Sequence, residues 1–267
     1  MKKIIALVLA LTLALSLVAC GAKADDKTIK VGATPAPHAA ILEVAKEILA
    51  KEGYTLEIVE FDDYVLPNTA LSEGELDANY FQHITYMNNF NEEYGIKMVS
   101  AAGIHYEPFG IYAGKCASLA DLPDGAVIGV PNDATNEARA LLLLEQEGLI
   151  KLKEGVGLSA TKDSIIDNPH GYDIKEIKAE LLTANLADLD IAVINGNYAI
   201  DAGLKVSEAL AVEAADGAAA EAYVNVIAVM EGHENDAKIQ ALIKALKTAE
   251  VKAYIESTYE GAVVPLF

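Results

Sequence analysis

Arg139 is the only arginine in the chain, and the remaining cationic side chains are all lysines. A guanidinium is a planar fork that holds a carboxylate through two parallel hydrogen bonds and keeps its charge when buried. The lone arginine in a lysine-rich chain is a candidate carboxylate seat, with chance in a lysine-biased composition an equal reading on this ground alone. In Val130-Pro131-Asn132-Asp133-Ala134-Thr135-Asn136-Glu137-Ala138-Arg139 a strand ends and a helix begins, with Asn132 or Asp133 as its cap. Asn136 and Arg139 then fall three apart on one helical face. The free amides of the same helix start favour an anion. The chemistry on offer is the grip of an α-carboxylate.

Three further segments carry side chains of the right kind. Asp77-Ala78-Asn79-Tyr80-Phe81-Gln82-His83-Ile84-Thr85-Tyr86 concentrates aromatics and amides between a strand and a helix. Such a cluster can line an apolar pocket with a polar edge, and any one of its aromatics can equally serve the core. Ala192-Val193-Ile194-Asn195-Gly196-Asn197-Tyr198 is another strand running into a helix with amides at the junction, and Tyr223-Val224-Asn225 precedes an apolar strand. Each asparagine offers a donor and an acceptor, so Asn195 and Asn225 suit an ammonium or a carboxylate, or a turn or cap.

These segments need a scaffold of alternating strands and helices, and the chain supplies one. Ile29 to Ala33 reads as a strand, and Ile41, Leu42, Ala45, Ile48 and Leu49 follow with helical spacing up to Gly53. Strands are expected over Leu56 to Phe61, Lys97 to Ala101, Phe109 to Ala113, Ala126 to Val130, Ile174 to Glu180, Ile191 to Ile194 and Tyr223 to Met230. Helices are expected near Thr69 to Ser72, Ile84 to Tyr94, Ala134 to Glu147, Tyr198 to Ala202, Asn235 to Leu246 and Val251 to Ile255. Alternating β and α units imply an α/β fold of mostly parallel sheets flanked by helices. Ligands of such sheets bind beyond the carboxyl ends of the strands, here in the cleft between two lobes. The lobes are expected to comprise residues 28–112 plus 226–267 and residues 113–225.

The N-terminus sets the compartment. Lys2 and Lys3 precede an apolar run from Ile4 to Val18 that falls short of the about 20 residues a membrane-spanning helix needs. It fits the apolar core of a signal peptide, residues 1–19. Leu17-Val18-Ala19-Cys20-Gly21 resembles a lipobox, which implies lipidation of Cys20 after cleavage, a polar tether over residues 20–27 and an extracytoplasmic protein held on the membrane by its lipid. Cys116 is the only other cysteine, so no disulfide is expected. The net charge of −20 repels phosphate backbones, which argues against nucleic acid as a partner. A monomer is expected.

Taken in order, the segments resemble the methionine-binding lipoproteins of ABC importers (the NlpA/MetQ family). The resemblance rests on Val31-Gly32-Ala33-Thr34-Pro35 with His38, and on Phe61-Asp62-Asp63-Tyr64-Val65-Leu66-Pro67-Asn68. It continues through Asp77-Ala78-Asn79 with Phe81-Gln82-His83, and Glu107-Pro108 with Gly110-Ile111-Tyr112. Pro131-Asn132-Asp133 with Asn136 and Arg139, Ala192 to Asn195, and Tyr223-Val224-Asn225 complete it. The chain departs from the family at Thr85, where a proline usually precedes the tyrosine, and at Leu181-Leu182-Thr183-Ala184. The resemblance implies a two-lobed, periplasmic-binding-protein-like fold that closes on methionine and passes it to an ABC transporter permease. It implies that Arg139 binds the ligand carboxylate and that Asn195 and Asn225 hold its amino and carboxylate groups. Tyr64, Phe81, His83 and Tyr86 would line the pocket around the thioether. Another small amino acid or a methionine-containing dipeptide is the alternative ligand.

Rival functions find little support in the residues. Gly155-Val156-Gly157-Leu158-Ser159-Ala160 formally matches a dinucleotide fingerprint, but charged residues and a helix precede it where a strand is required. No Gly-x-Ser-x-Gly elbow occurs. His38, His83, His105, His170 and His233 are scattered, and the His105/Glu107 alternation supplies two ligands where a metal needs more. No enzyme, cofactor or metal is expected.

Overall fold

The structure is a computed structural model that describes residues 27–214 and 217–267. The expected signal peptide, the expected lipidation site Cys20 and the expected tether up to Asp26 lie outside the described residues. The chain begins with β1 (Thr28–Ala33), α1 (Ala40–Lys51), β2 (Thr55–Glu60), α2 (Leu66–Ser72), β3 (Ala78–His83), α3 (Ile84–Tyr94) and β4 (Met98–Tyr106). It continues through β5 (Gly110–Ala113), β6 (Val127–Pro131), α4 (Ala134–Gln146), β7 (Lys151–Leu152), β8 (Ile165–Asp167), β9 (Asp173–Ile177), α5 (Leu182–Asn185), β10 (Ile191–Ile194) and α6 (Gly196–Asp201). The last elements are β11 (Ala211–Val212), α7 (Gly217–Ala222), β12 (Asn225–Met230), α8 (Ala237–Leu246), α9 (Ala249–Tyr259) and β13 (Val264–Pro265).

Two sheets organise the molecule. The first has the order β13-β4-β12-β3-β1-β2 and the second β11-β5-β10-β6-β9. Both faces of each are covered, so their central strands bury nearly every residue, as in β3 and β10. On the first sheet, Ile41, Leu42 and Leu49 of α1 join Leu242 and Leu246 of α8 and Ile255 of α9 over one face. Leu71 of α2 and Met87 and Phe90 of α3 cover the other. On the second, Ala138, Leu141 and Leu144 of α4 pack on one side and Leu182 and Ala199 on the other. The apolar spacing visible in these helices is the spacing that seats them on the sheets.

The sheets are mixed rather than mostly parallel. β1 pairs parallel with β2 and β3, and β6 with β9 and β10. β12, however, lies antiparallel between β3 and β4, and β5 lies antiparallel to β10. Consecutive βα units do give β1 to β4 a common direction. The strand that returns from the second sheet inserts between two of them, an adjacency no local pattern encodes.

The chain crosses between sheets twice, over residues 107–109 and 213–224. The expected boundary at residue 112 falls inside β5, whose partners β10 and β11 belong to the second sheet, and that at residue 225 falls on the first residue of β12. The crossings are tied together where the Glu213 amide donates to the Phe109 carbonyl at 2.9 Å. Gly155-Val156-Gly157 lies beyond β7 and enters a single 3-10 turn, Gly157–Ser159, so no strand-to-helix unit surrounds it.

Candidate ligand-binding cleft

The strand ends that face the gap between the sheets carry the chemistry. A small cavity is lined by Tyr64, Phe81, Gln82, His83, Tyr86, Glu107, Phe109, Asn136, Arg139, Asn195, Gly196, Asn197 and Asn225. All eight residues singled out for ligand contact in the sequence are therefore brought together. Gln82, Glu107, Phe109, Gly196 and Asn197 are additions that sequence reasoning missed.

Arg139 projects from α4 into the junction of both crossings. Its Nε donates to Glu213 Oε1 at 2.9 Å, and Nη2 donates to Glu213 Oε2 at 2.6 Å and to the Glu107 carbonyl at 2.7 Å. The guanidinium carbon lies 4.0 Å from the Tyr223 ring centroid and 4.2 Å from that of Phe109, within cation–π range of both rings. Nη1 makes no hydrogen bond among the described residues. One Arg139 edge is thus consumed internally and the other is left as a fixed donor.

The amides are oriented by a chain that starts at a carboxylate. Asp133 caps α4 by accepting from the Asn136 amide at 3.0 Å. It also accepts from Asn136 Nδ2 at 2.9 Å, so that nitrogen faces Asp133 and Asn136 Oδ1 faces the cleft. Asn136 Oδ1 then accepts from Asn195 Nδ2 at 3.0 Å and from His83 Nε2 at 3.2 Å. This turns Asn195 Oδ1 away, and it is a buried acceptor without a partner among the described residues. His83 in turn accepts the Tyr86 amide on Nδ1 at 3.0 Å, capping α3 and fixing its Nε2–H tautomer. Burial, with Arg139 nearby, lowers its pKa to about 3 and keeps it neutral. The Asn136 amide is spent within the protein, so it positions its neighbours.

A second relay lies behind the cleft. His105 Nε2 donates to Glu107 Oε1 at 2.7 Å, and His38 Nε2 lies 3.0 Å from Asn225 Oδ1 and 3.4 Å from Glu107 Oε1. Each ring presents Nδ1 to a hydroxyl, Thr34 at 2.8 Å for His38 and Tyr80 for His105. Hydroxyl donation to Nδ1 places both protons on Nε2. Burial holds His38 near pKa 4, against the opposing pull of Glu107, and His105 near 3. Burial raises Glu107 above the ordinary carboxylate value, opposed by His38, Arg139 and the Asn197 amide. Because Asn225 Oδ1 accepts from His38, Asn225 Nδ2 is free to donate. Two of the five histidines that look scattered in the sequence meet here: the ligating atoms of His38, His105 and Glu107 lie within 4.8 Å of one another, which could hold a metal. The protons placed on both Nε2 atoms occupy that position.

The result is a polar seat with two acceptors, Asn195 Oδ1 and the Glu107 carboxylate, and two donors, Arg139 Nη1 and Asn225 Nδ2. Beside it stands an aromatic box. Tyr64 lies 5.8 Å from Phe81, 5.7 Å from Tyr86 and 5.0 Å from Tyr198, ring centre to ring centre. Tyr64 donates across the cleft to Asn197 Oδ1 at 2.5 Å, and Tyr198 donates to the Asp62 carbonyl at 3.0 Å. The loop before α2 is thereby stitched to α6.

Residues 29–267 match the NlpA lipoprotein family. The chain belongs to that family. A methionine-binding lipoprotein MetQ from Bacillus subtilis is 40% identical to it, over 100% of this chain and 99% of its own length. Membrane lipoprotein TpN32 of Treponema pallidum is 42% identical, over 95% of this chain and 93% of its own. Among solved structures, a putative lipoprotein from Ruminococcus gnavus superposes with a TM-score of 0.89 at 55% identity, covering 90% of this chain and all of its own. A nutrient-binding protein from Burkholderia cenocepacia, solved bound to methionine, gives 0.85 at 41% identity with the same coverage. Family members are substrate-binding lipoproteins, and the two-lobed α/β fold is theirs. No helix among the described residues is long and apolar enough to cross a membrane.

Proposed function

We propose that the protein is an extracytoplasmic binding lipoprotein, anchored through Cys20, that captures methionine in the cleft and delivers it to an ABC transporter permease. The observation that carries this reading is the parity of the polar seat. Two donors suit a carboxylate and two acceptors suit an ammonium, which is the arrangement of a free amino acid. The aromatic box beside the seat suits a thioether, since sulfur packs favourably against ring edges. The methionine-bound Burkholderia protein and the Bacillus relative support the choice of side chain. It acts as a monomer, by binding and not by catalysis, with each ionisable group of the cleft held by a static partner.

Charged hydrogen bonds contribute about 1.5–3 kcal/mol each, and burial of a methionine side chain about 1.5–3 kcal/mol. Less the cost of association, three or four such contacts reach micromolar binding or tighter. Thermal melting in the presence of each of the twenty amino acids, with glycyl-methionine added, tests the reading. A ligand at 100 times its Kd adds about 2.7 kcal/mol, or roughly 5–10 °C for a chain of this size. If millimolar methionine moves the midpoint no more than glycine does, the assignment is wrong.

A further inference from the structure

Next to Phe81 of the aromatic box, the cavity is walled by an amide, Gln82, and an irregularity in β3 puts it there. In the ladder with β12, Tyr80 pairs with Ile227 and His83 with Asn225, so Phe81 and Gln82 together stand opposite Val226 alone. Two residues against one make a β-bulge, which re-aims a side chain that regular alternation would send to the other face. Asn79 and Gln82, three positions apart, would point to opposite faces of a regular strand, yet Gln82 Nε2 donates to Asn79 Oδ1 at 3.0 Å. The bulge brings both to the side of the sheet that carries α2.

There the Gln82 amide is consumed. Its Nε2 also donates to Asn68 Oδ1 at 2.7 Å, and its Oε1 accepts from Asn68 Nδ2 at 2.9 Å. Asn79 Nδ2 closes the triangle on Asn68 Oδ1 at 2.8 Å and reaches the Pro67 carbonyl at 3.2 Å. Asn68 and Asn79 are fully buried. A carboxamide has two N–H donors, and both of those on Gln82 are spent inside the protein. The box has none to spare either: the Tyr64 hydroxyl donates to Asn197 Oδ1 and the Tyr86 hydroxyl to the Tyr64 carbonyl.

We infer that the Asn68–Asn79–Gln82 triangle is a specificity device: by satisfying Gln82 internally it makes this wall behave as apolar, and it thereby excludes glutamine, whose side chain has the length of methionine's. This rests on the amino-acid reading above and gives its side-chain pocket a means of discrimination. The side-chain carbonyl of a bound glutamine finds no donor among Tyr64, Gln82 and Tyr86, and a buried acceptor without a donor costs affinity. Asn68 and Asn79 are not among the lining residues; they act through Gln82, as positioning residues.

Titration calorimetry of the wild type, Asn68→Leu and Asn79→Ala with L-methionine, L-norleucine and L-glutamine tests this. Norleucine has a methylene in place of the sulfur and should bind the wild type within about tenfold of methionine. Glutamine should bind about 100-fold more weakly. Asn68→Leu keeps roughly the size of the side chain while releasing Gln82 Oε1 and one Nε2 proton, which a glutamine amide can meet head to head. The preference for methionine over glutamine should shrink about tenfold, chiefly through tighter glutamine, and Asn79→Ala should move it the same way by less. A merely structural triangle would weaken both ligands by one factor and leave the preference unchanged, which overturns the inference. Wild-type protein that binds glutamine as tightly as methionine, or norleucine as weakly as glutamine, overturns it without any variant. Wild-type protein that binds none of the three brings down the amino-acid reading itself.

Discussion

Arg139→Lys separates the two duties of the guanidinium. The substitution keeps one positive charge, so it does not strand Glu213 in the interior. It removes the side-on fork, in which Nε and Nη2 reach Glu213 at 2.9 and 2.6 Å, and the Nη2 contact to the Glu107 carbonyl at 2.7 Å. An ammonium can replace one of these. The net loss is one to two charged hydrogen bonds at about 1.5–3 kcal/mol each, plus cation–π contact with Phe109 and Tyr223 at about 0.5–1 kcal/mol per ring. These terms sum to about 2.5–8 kcal/mol, and even the low end, about 3 kcal/mol, corresponds to a fall in melting temperature of roughly 6–12 °C. Arginine thus ties the two crossings together, and the variant should lose stability as well as affinity. Binding loses the fixed Nη1 donor besides, so methionine affinity should drop about 10- to 100-fold. Scanning fluorimetry of the ligand-free variant and calorimetry below its melting point measure the two effects independently. A variant that melts within a degree of wild type and binds methionine equally would refute both the packing account and the carboxylate seat.

Two other perturbations follow from the geometry. Gly196→Ala lies in a short helix, where alanine normally stabilises by about 1 kcal/mol. Here the added Cβ meets Glu107 at 2.8 Å, so the sign should reverse, to a loss of about 1–3 kcal/mol with weakened methionine binding; a stabilised variant with full affinity would contradict the described contact. His38, His83 and His105 titrate near 4, 3 and 3, below the ordinary 6.5, so between those values and 6.5 the unfolded chain binds more protons than the folded one. Their contribution to stability is complete above about pH 6.5 and is lost as pH falls, to about 4 for His38 and about 3 for His83 and His105, each at about 1.4 kcal/mol per pH unit. Glu107, Asp133 and Glu137, raised by burial, oppose this by taking up protons in the folded state. The histidine share is isolated by His83→Gln, whose urea midpoint should fall less than that of the wild type from pH 6.5 to 4.5, and an equal fall in both would contradict it.

What the sequence discloses of this site is what is local. Asp133, Asn136 and Arg139 share one helix start, and the His83 to Tyr86 cap spans three residues, so spacing alone places them. The strand and helix alternation likewise follows from periodicity within each segment. The remainder depends on contacts between distant parts of the chain. Glu213 meets Arg139 across 74 positions and His38 meets Asn225 across 187. Glu213 stands next to the alanine-rich stretch that has no periodic signal, and nothing in its neighbourhood marks it. Glu107 offered a signal, an acidic residue two positions after a histidine at a strand end, but its meaning appears only when β12 inserts beside β4 and carries Asn225 to the same point.

The polar seat and the aromatic box are made by different side chains, although Phe81, His83 and Tyr86 share one stretch of chain. Asp133, Asn136, Asn195 and His83 are interlocked in one relay and His105, Glu107, His38 and Asn225 meet in another, so an exchange inside either disturbs its other members. Tyr64, Phe81 and Tyr86 touch one another chiefly through ring faces and edges, and a change of shape there leaves the interlocked set alone. Evolution can therefore retune which side chain is accepted while the demand for an amino acid stays frozen, and paralogues with new nutrients should differ first in the box.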